Sequence, residues 1–284
     1  MRAWILVGMI FMGAGMAFGV EGDGVFTYRI GRLEVSVLVE SEREGNVSVI
    51  PTAGEDVLRR YIPAAGFKMS TNIFLIKGPE RTVLVDTAFG GESFNRMRSL
   101  GVRPEDVDAV LITHMHQDHI GGLAKEGVAL FPNARLYIAE KDFEHFVNVA
   151  ANAGAIAAVA PYRSRLETFD PGELGTELAE LLPGITAIAA YGHTPGHTAF
   201  LLESEGQRFL IVGDLLHVAP VQFPRPDINA SFDINGEAAA ATRRQILAYA
   251  AENRIPVAGT HIAWPGSGIV RVEGEGFSWM PARR

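Results

Sequence analysis

Thr113-His114-Met115-His116-Gln117-Asp118-His119 sets three imidazoles and a carboxylate within the six positions from His114 to His119. Packing an apolar core has no use for such a run. Imidazole and carboxylate are the usual ligands of a borderline divalent metal such as zinc. His114 and His116 are two apart on one loop, so both rings can reach one ion. Asp118 and His119 are adjacent, point elsewhere and suit a second ion. A catalytic zinc takes three protein ligands and keeps one position open. The run cannot complete two such shells, so it predicts partners elsewhere in the chain.

Those partners are His193 in Tyr191-Gly192-His193-Thr194, Asp214 in Val212-Gly213-Asp214 and His261 in Gly259-Thr260-His261. The reading places His114, His116 and His193 on one ion and Asp118, His119 and His261 on the other, with Asp214 bridging through its two oxygens. The chain has eight histidines and this scheme uses five of them. Two divalent metals lower the pKa of a shared water from about 16 to about 7. The hydroxide can attack an ester, lactone or phosphotriester. Asp118 is the candidate catalytic residue, steering the nucleophile or accepting its proton. There is no Gly-x-Ser-x-Gly elbow, and the absence of cysteine excludes a thiol nucleophile, thiolate ligands and disulfides. His197 is expected to make structural hydrogen bonds, His217 to lie near the site and His145 to sit on a helix surface. Phe223, Phe232, Trp264 and Phe277 are candidates for either a pocket wall or the core.

The elements that must position these groups follow from hydrophobic patterning. A hairpin is expected over Ile73–Ile76 and Thr82–Val85, a helix over Ser93–Leu100 and a strand over Ala109–Thr113. A strand then covers the segment from Ala134 to Glu140, followed by a helix over 141–150 and an Ala-rich stretch, 151–163, that reads as a small packed helix or as part of a loop over a pocket. Three strands run through 184–214, a long helix through 236–253, a last inner strand through 255–261 and a β segment to the end. Four apolar strands each end in a histidine or aspartate of the set: His114, His193, Asp214 and His261. Strand ends are where a rigid scaffold presents reactive groups. Strands followed by mixed strand and helix, twice over, suggest two sheets face to face with helices outside.

The ordered set Thr-His-Met-His-Gln-Asp-His, Gly192-His193-Thr194-Pro195-Gly196-His197-Thr198, Gly213-Asp214 and His261 resembles the metallo-β-lactamase superfamily. The resemblance implies an α+β fold, a four-layer αβ/βα sandwich with a binuclear metal site at one edge of the sheets. It implies zinc, with manganese, cobalt or iron as alternatives, a small-molecule substrate and a possible homodimer. Residues 213–235 and 261–281 are similar to the branch containing methyl parathion hydrolase and related secreted lactonase-like hydrolases. Zinc β-lactamases place Cys or Ser where Asp214 stands, which argues against β-lactam as substrate. A mononuclear iron oxygenase-like enzyme and a β-lactamase or glyoxalase II-like thioester hydrolase are the alternatives on the same scaffold. The usual Val-Asp-Thr-Gly turn reads Val85-Asp86-Thr87-Ala88, and Asp86 is a candidate to orient a ligand.

The net charge of −8, with no dense Lys/Arg cluster, argues against a nucleic-acid partner. Residues 1–19 read as a secretory signal peptide with cleavage after Gly19, leaving 20–284 as a single domain that is exported, periplasmic or secreted, and not membrane-bound once mature.

Overall fold

The computed structural model describes residues 20–282. The expected signal peptide lies outside the described residues. Strands β1 (Val20–Gly22), β2 (Val25–Ile30), β3 (Leu33–Glu44), β4 (Lys68–Lys77), β5 (Thr82–Val85) and β6 (Ala109–Ile112) come first. After them come a small hairpin, β7 (Ala124–Lys125) and β8 (Val128–Ala129), then β9 (Arg135–Ala139) and β10 (Leu166–Phe169). The second half holds β11 (Glu180–Leu182), β12 (Ile185–Ala189), β13 (Thr198–Ser204), β14 (Gln207–Ile211), β15 (Val257–Ala258), β16 (Ser267–Glu273) and β17 (Gly276–Pro281).

Two large sheets result, ordered β1-β2-β3-β4-β5-β6-β9-β10 and β11-β12-β13-β14-β15-β16-β17. In the first, pairing is antiparallel from β1 to β5 and parallel from β5 through β6 and β9 to β10. In the second, β14 and β15 are the parallel pair. Strand β6 shows why the sheets face each other. All four of its residues are apolar and buried, as expected of a strand covered on both sides. Val110 and Ile112 pack with Phe94, Met97 and Ala155 from helices Glu92–Ser99 and Ala153–Val159. Ala109 and Leu111 pack between the sheets against Phe200, Phe209 and Ile211. A third core joins Ile246, Leu247 and Ala250 of helix Gly236–Glu252 to Leu210 and Val212. The layers run helix, sheet, sheet, helix: the four-layer α+β sandwich expected. Each fully buried Leu, Ile or Phe contributes about 1.5–3 kcal/mol.

Several expected elements change length or kind. The last inner strand is only Val257–Ala258, because its chain turns immediately toward the other sheet, where Asn72 on β4 donates to the carbonyls of Gly259, Thr260 and Ile262. The helix expected after β9 is α-helical over Glu140–Phe143 and then winds as a π-helix over Glu144–Val149. Helix Glu55–Tyr61 is an addition to the expected elements; at seven residues, with Val57, Leu58 and Tyr61 only partly buried against Ile50 and Val218, its apolar face is too short for a clear periodic signal. Among the described residues no helix is long and apolar enough to cross a membrane.

Candidate metal centre

Parallel pairing gathers the site. Strands β5, β6 and β9 run the same way, so their C-terminal ends fall on one edge of the first sheet. There Asp86 follows β5, Thr113 and His114 follow β6, and Asp142 lies just past β9. In the second sheet the parallel pair β14 and β15 ends toward Asp214 and His261. Two contacts staple the sheets there. Thr198 N donates to Thr113 O at 2.9 Å. Asp142 accepts from Met115 N at 2.9 Å and from Gly196 N at 2.6 Å, tying the His114 loop to the His193 loop.

All seven predicted site residues are brought together. His114 Nε2, His116 Nδ1 and His193 Nε2 form a triangle with edges of 3.0, 3.1 and 3.2 Å. Around a tetrahedral zinc with Zn–N of about 2.0–2.1 Å, neighbouring ligand nitrogens stand about 3.3 Å apart. Asp214 Oδ2 lies 3.7 Å from His114 Nε2, 3.4 Å from His193 Nε2 and 3.1 Å from His261 Nε2. Its Oδ1 lies 3.2 Å from His119 Nε2, yet neither of these buried atoms makes a hydrogen bond of good geometry. Asp118 Oδ2 lies 3.2 Å from His261 Nε2, and Asp118 Oδ1 lies 3.8 Å from His119 Nε2. Four groups of donor atoms among the described residues are close enough to hold an ion: His114-His116-His193, Asp118-His119-His261, His114-His119-Asp214 and His193-Asp214-His217. Imidazole nitrogens and carboxylate oxygens crowded this closely fit a cation, so the residues match the implied metal pair.

Second contacts fix which nitrogen faces inward. His119 Nδ1 donates to Asp86 Oδ2 at 2.8 Å, His193 Nδ1 to Asp233 Oδ1 at 2.9 Å and His261 Nδ1 to Ser70 O at 3.0 Å. Thr113 Oγ1 donates to Asp86 at 2.8 Å and so can accept from His114 Nδ1 at 3.1 Å. Each of these rings therefore turns Nε2 toward the cluster, the arrangement typical of metal-bound histidine. Asp86 itself adopts φ +60° and Ala88 φ +47°. Ala88 thus holds the left-handed turn in which glycine is usual, as a fully buried core residue.

His197 behaves as a structural residue. Its Nδ1 donates to Ala190 O at 2.8 Å and its Nε2 accepts from Asp214 N at 3.1 Å. His217 joins the site, with Nε2 3.2 Å from Asp214 Oδ2. His145 is half-buried against Phe146. Of the four candidate aromatics, Phe223 stacks on Trp279 and Phe277 is core. Trp264 packs partly buried on the core between the sheets. Phe232 alone of the four stands at the site, 51% exposed with its ring 5.6 Å from that of His217.

Sequence reasoning missed Asp142, Asp233, Asn72 and Ser70, each of which holds a ligand or its loop. Asp142 had one usable signal: like Asp86, it follows the end of a parallel strand of the first sheet.

Burial dominates the titration of this cluster. Burial, then the charge of His119, holds His114 well below the usual imidazole range. Burial, then His193, takes His116 down to about 4 and His197 to about 3. His217 falls to about 4 through burial, against the pull of Asp214. For His119 and His261 burial is outweighed by carboxylates. Asp214 and Asp86 raise His119 well above its ordinary value, and Asp214 and Asp118 push His261 up to about 10. Burial opposes the charge of Asp214 and Asp118, but His119 and His261 outweigh it and hold both below the usual carboxylate range.

The sign of the pH dependence follows for the metal-free protein. His114, His116, His197 and His217 stay neutral in the fold, whereas free imidazole binds a proton below about 6.5. Unfolding then takes up protons, and stability falls as pH drops from about 6.5 toward about 4. His119 and His261 keep their proton in the fold. Their contribution is complete below about 6.5 and is lost as pH rises toward about 10. Thermal melts after chelation should therefore show a maximum near pH 6.5 with lower melting temperatures on both sides. A profile that is flat from about pH 4.5 to 9 would contradict this balance.

Two mixed sheets holding a paired histidine–aspartate cluster at their common edge define a metal-dependent hydrolase scaffold. The sequence profile of the Metallo-beta-lactamase superfamily matches residues 66–256, and the chain belongs to that family. A crystal structure of hydrolase AbOPH, in the beta lactamase superfamily, superposes with a TM-score of 0.82 at 26% identity, covering 93% of this chain and 99% of that one. The dizinc quorum-quenching lactonase AidC, in complex with a homoserine product, superposes with a TM-score of 0.81 at 25% identity, covering 92% and 98%. A probable metallo-hydrolase of Mycobacterium bovis is 25% identical over 238 residues, 70% of this chain and 73% of its own length. Metallo-beta-lactamase domain-containing protein 1 of Xenopus laevis is 35% identical over 123 residues, 42% of this chain; the match spans 50% of that relative's length.

Proposed function

We propose that this protein is a binuclear metal-dependent hydrolase of small, neutral, partly apolar esters, lactones or phosphotriesters, of the branch that includes methyl parathion hydrolase and lactonase-like enzymes. The observation that carries the reading is the triangle of three imidazole nitrogens beside a carboxylate shared with a second His/Asp group. His114, His116 and His193 would hold one ion, Asp118, His119 and His261 the other, and Asp214 both. When bound, such a pair supplies a hydroxide nucleophile near neutral pH and a Lewis acid for the oxygen under attack.

The chain's own groups do the rest. Asp118 is the least buried carboxylate of the cluster, its side chain 29% exposed. It can orient the attacking water, accept its proton and return one to the leaving oxygen. Asp214 carries its charge throughout, since neighbouring imidazoles keep its carboxyl ionised. His217, neutral and beside Asp214, can donate one hydrogen bond. Phe232 and Ile234, 51% and 50% exposed, present apolar surface next to His217 and His193. Such a rim suits an apolar acyl or aryl group rather than a highly charged substrate. The lactonase relative at comparable fold similarity supports a lactone among the substrates.

The test is a panel of an acyl-homoserine lactone, an aryl ester, an aryl phosphotriester and a β-lactam, assayed before and after chelation. One of the first three is expected to be hydrolysed, with turnover lost on chelation and regained with zinc, manganese or cobalt. Turnover untouched by exhaustive chelation would overturn the proposal. One bound iron with no hydrolysis would move the reading to an oxygenase-like enzyme.

A further inference from the structure

Arg243 is the one buried arginine among the described residues, 1% exposed on the inner face of helix Gly236–Glu252. Its neighbours on that face, Ala239, Ile246, Leu247 and Ala250, are apolar. A position needing only packing would hold leucine or methionine, because a desolvated guanidinium is costly unless its donors are met. Here they are met. Nε donates to Leu215 O at 2.6 Å, Nη1 to Pro226 O at 2.8 Å and Ile228 O at 3.0 Å, and Nη2 to Asp233 Oδ2 at 3.3 Å.

Every acceptor lies on the loop between Asp214 and the helix. Leu215 is the residue after Asp214. Asp233 accepts the Nδ1 proton of His193 on its other oxygen at 2.9 Å. Ile228 O also accepts from Gln222 Nε2, whose amide oxygen accepts from His217 N and Val218 N. One cation thus grips both ends of a long loop and ends on the carboxylate that orients His193.

We infer that Arg243 is a positioning residue for the ion held by His114, His116 and His193. Through Asp233 it fixes the tautomer and tilt of the His193 ring, so that Nε2 is the free lone pair facing the cluster. The inference rests on the metal-centre reading above. Its effect is directional. His119 is held by Asp86 and His261 by Ser70 O, and neither support touches Arg243. A side chain that merely stabilised the fold would not favour one ion over the other.

The experiment is a zinc competition titration that resolves both ions in the wild-type protein, Arg243→Met and Asp233→Asn. Melting curves of the metal-free forms and nitrogen NMR of the His193 ring accompany it. One zinc should weaken by about 10–100-fold in both variants, the range seen when a support of a metal-bound histidine is removed. The other should change by less than about threefold, and the His193 ring should lose its single Nδ1–H tautomer. If Arg243→Met does not fold, Asp233→Asn carries the test. Two zincs bound as in wild type, or both weakened equally in step with a lower melting temperature, would overturn the inference and leave the metal centre standing. A wild-type chain that binds no zinc would overturn the metal centre, and this inference with it.

Discussion

Asp214→Ala is expected to lose metal and hydrolysis together, with turnover down by on the order of 10³-fold or more. Several kcal/mol of transition-state stabilisation from the metals is at stake, and each 1.36 kcal/mol is tenfold. The carboxylate is 3% exposed and stands within 3.1–3.7 Å of the Nε2 atoms of His114, His119, His193, His217 and His261. Among the described residues no other side chain touches both proposed ion sites so closely. Removing it also takes from His119 and His261 the carboxylate that does most to sustain their charge in the metal-free fold, leaving only Asp86 beside the one and Asp118 beside the other. Metal analysis and turnover on one purified sample check this. An Asp214→Ala protein with two ions and undiminished turnover would contradict the assignment.

The second large effect is one of backbone. Gly192 precedes His193 and adopts φ +126°, a conformation open only to glycine at low cost. A Cβ there would lie 2.1 Å from Ala239 N and 2.4 Å from its Cα, in the first turn of helix Gly236–Glu252. Backbone cannot swing aside as a side-chain tip can. Gly192 also accepts from Asn235 N at 2.9 Å, which ties the His193 loop to that helix start. Gly192→Ala is therefore expected to destabilise by about 2–4 kcal/mol, lowering the melting temperature by roughly 5–10 °C. It should also weaken the ion held by His193. Calorimetry of the purified variant decides; a melting temperature within about 2 °C of wild type would show that the loop has room that its geometry denies.

How much of this could be read beforehand depends on which contacts are local. The seven cluster residues were legible because His and Asp are rare at the ends of apolar strands, and two metals need that many donors. The layer order followed from strand β6 and its neighbours, whose apolar runs require cover on both faces. What holds the ligands was not legible. Asp233 is 40 positions from His193 and Ser70 is 191 from His261. Both are ordinary loop or strand residues whose role exists only after the sheets pair. Arg243, on an alanine-rich helix, reads as a solvated surface residue until the loop from Asp214 folds over it. Phe223 and Phe277 read as core more readily than as pocket wall, and the stacking on Trp279 and the third core place them there.

Anomalous diffraction at the absorption edge of the bound metal tests most directly whether the cluster holds two ions. Two peaks per chain are expected, roughly 3.5–4 Å apart. One should lie inside the triangle of His114, His116 and His193, the other beside Asp118, His119 and His261, with Asp214 between them. A single peak, or none in protein supplied with zinc, would contradict it.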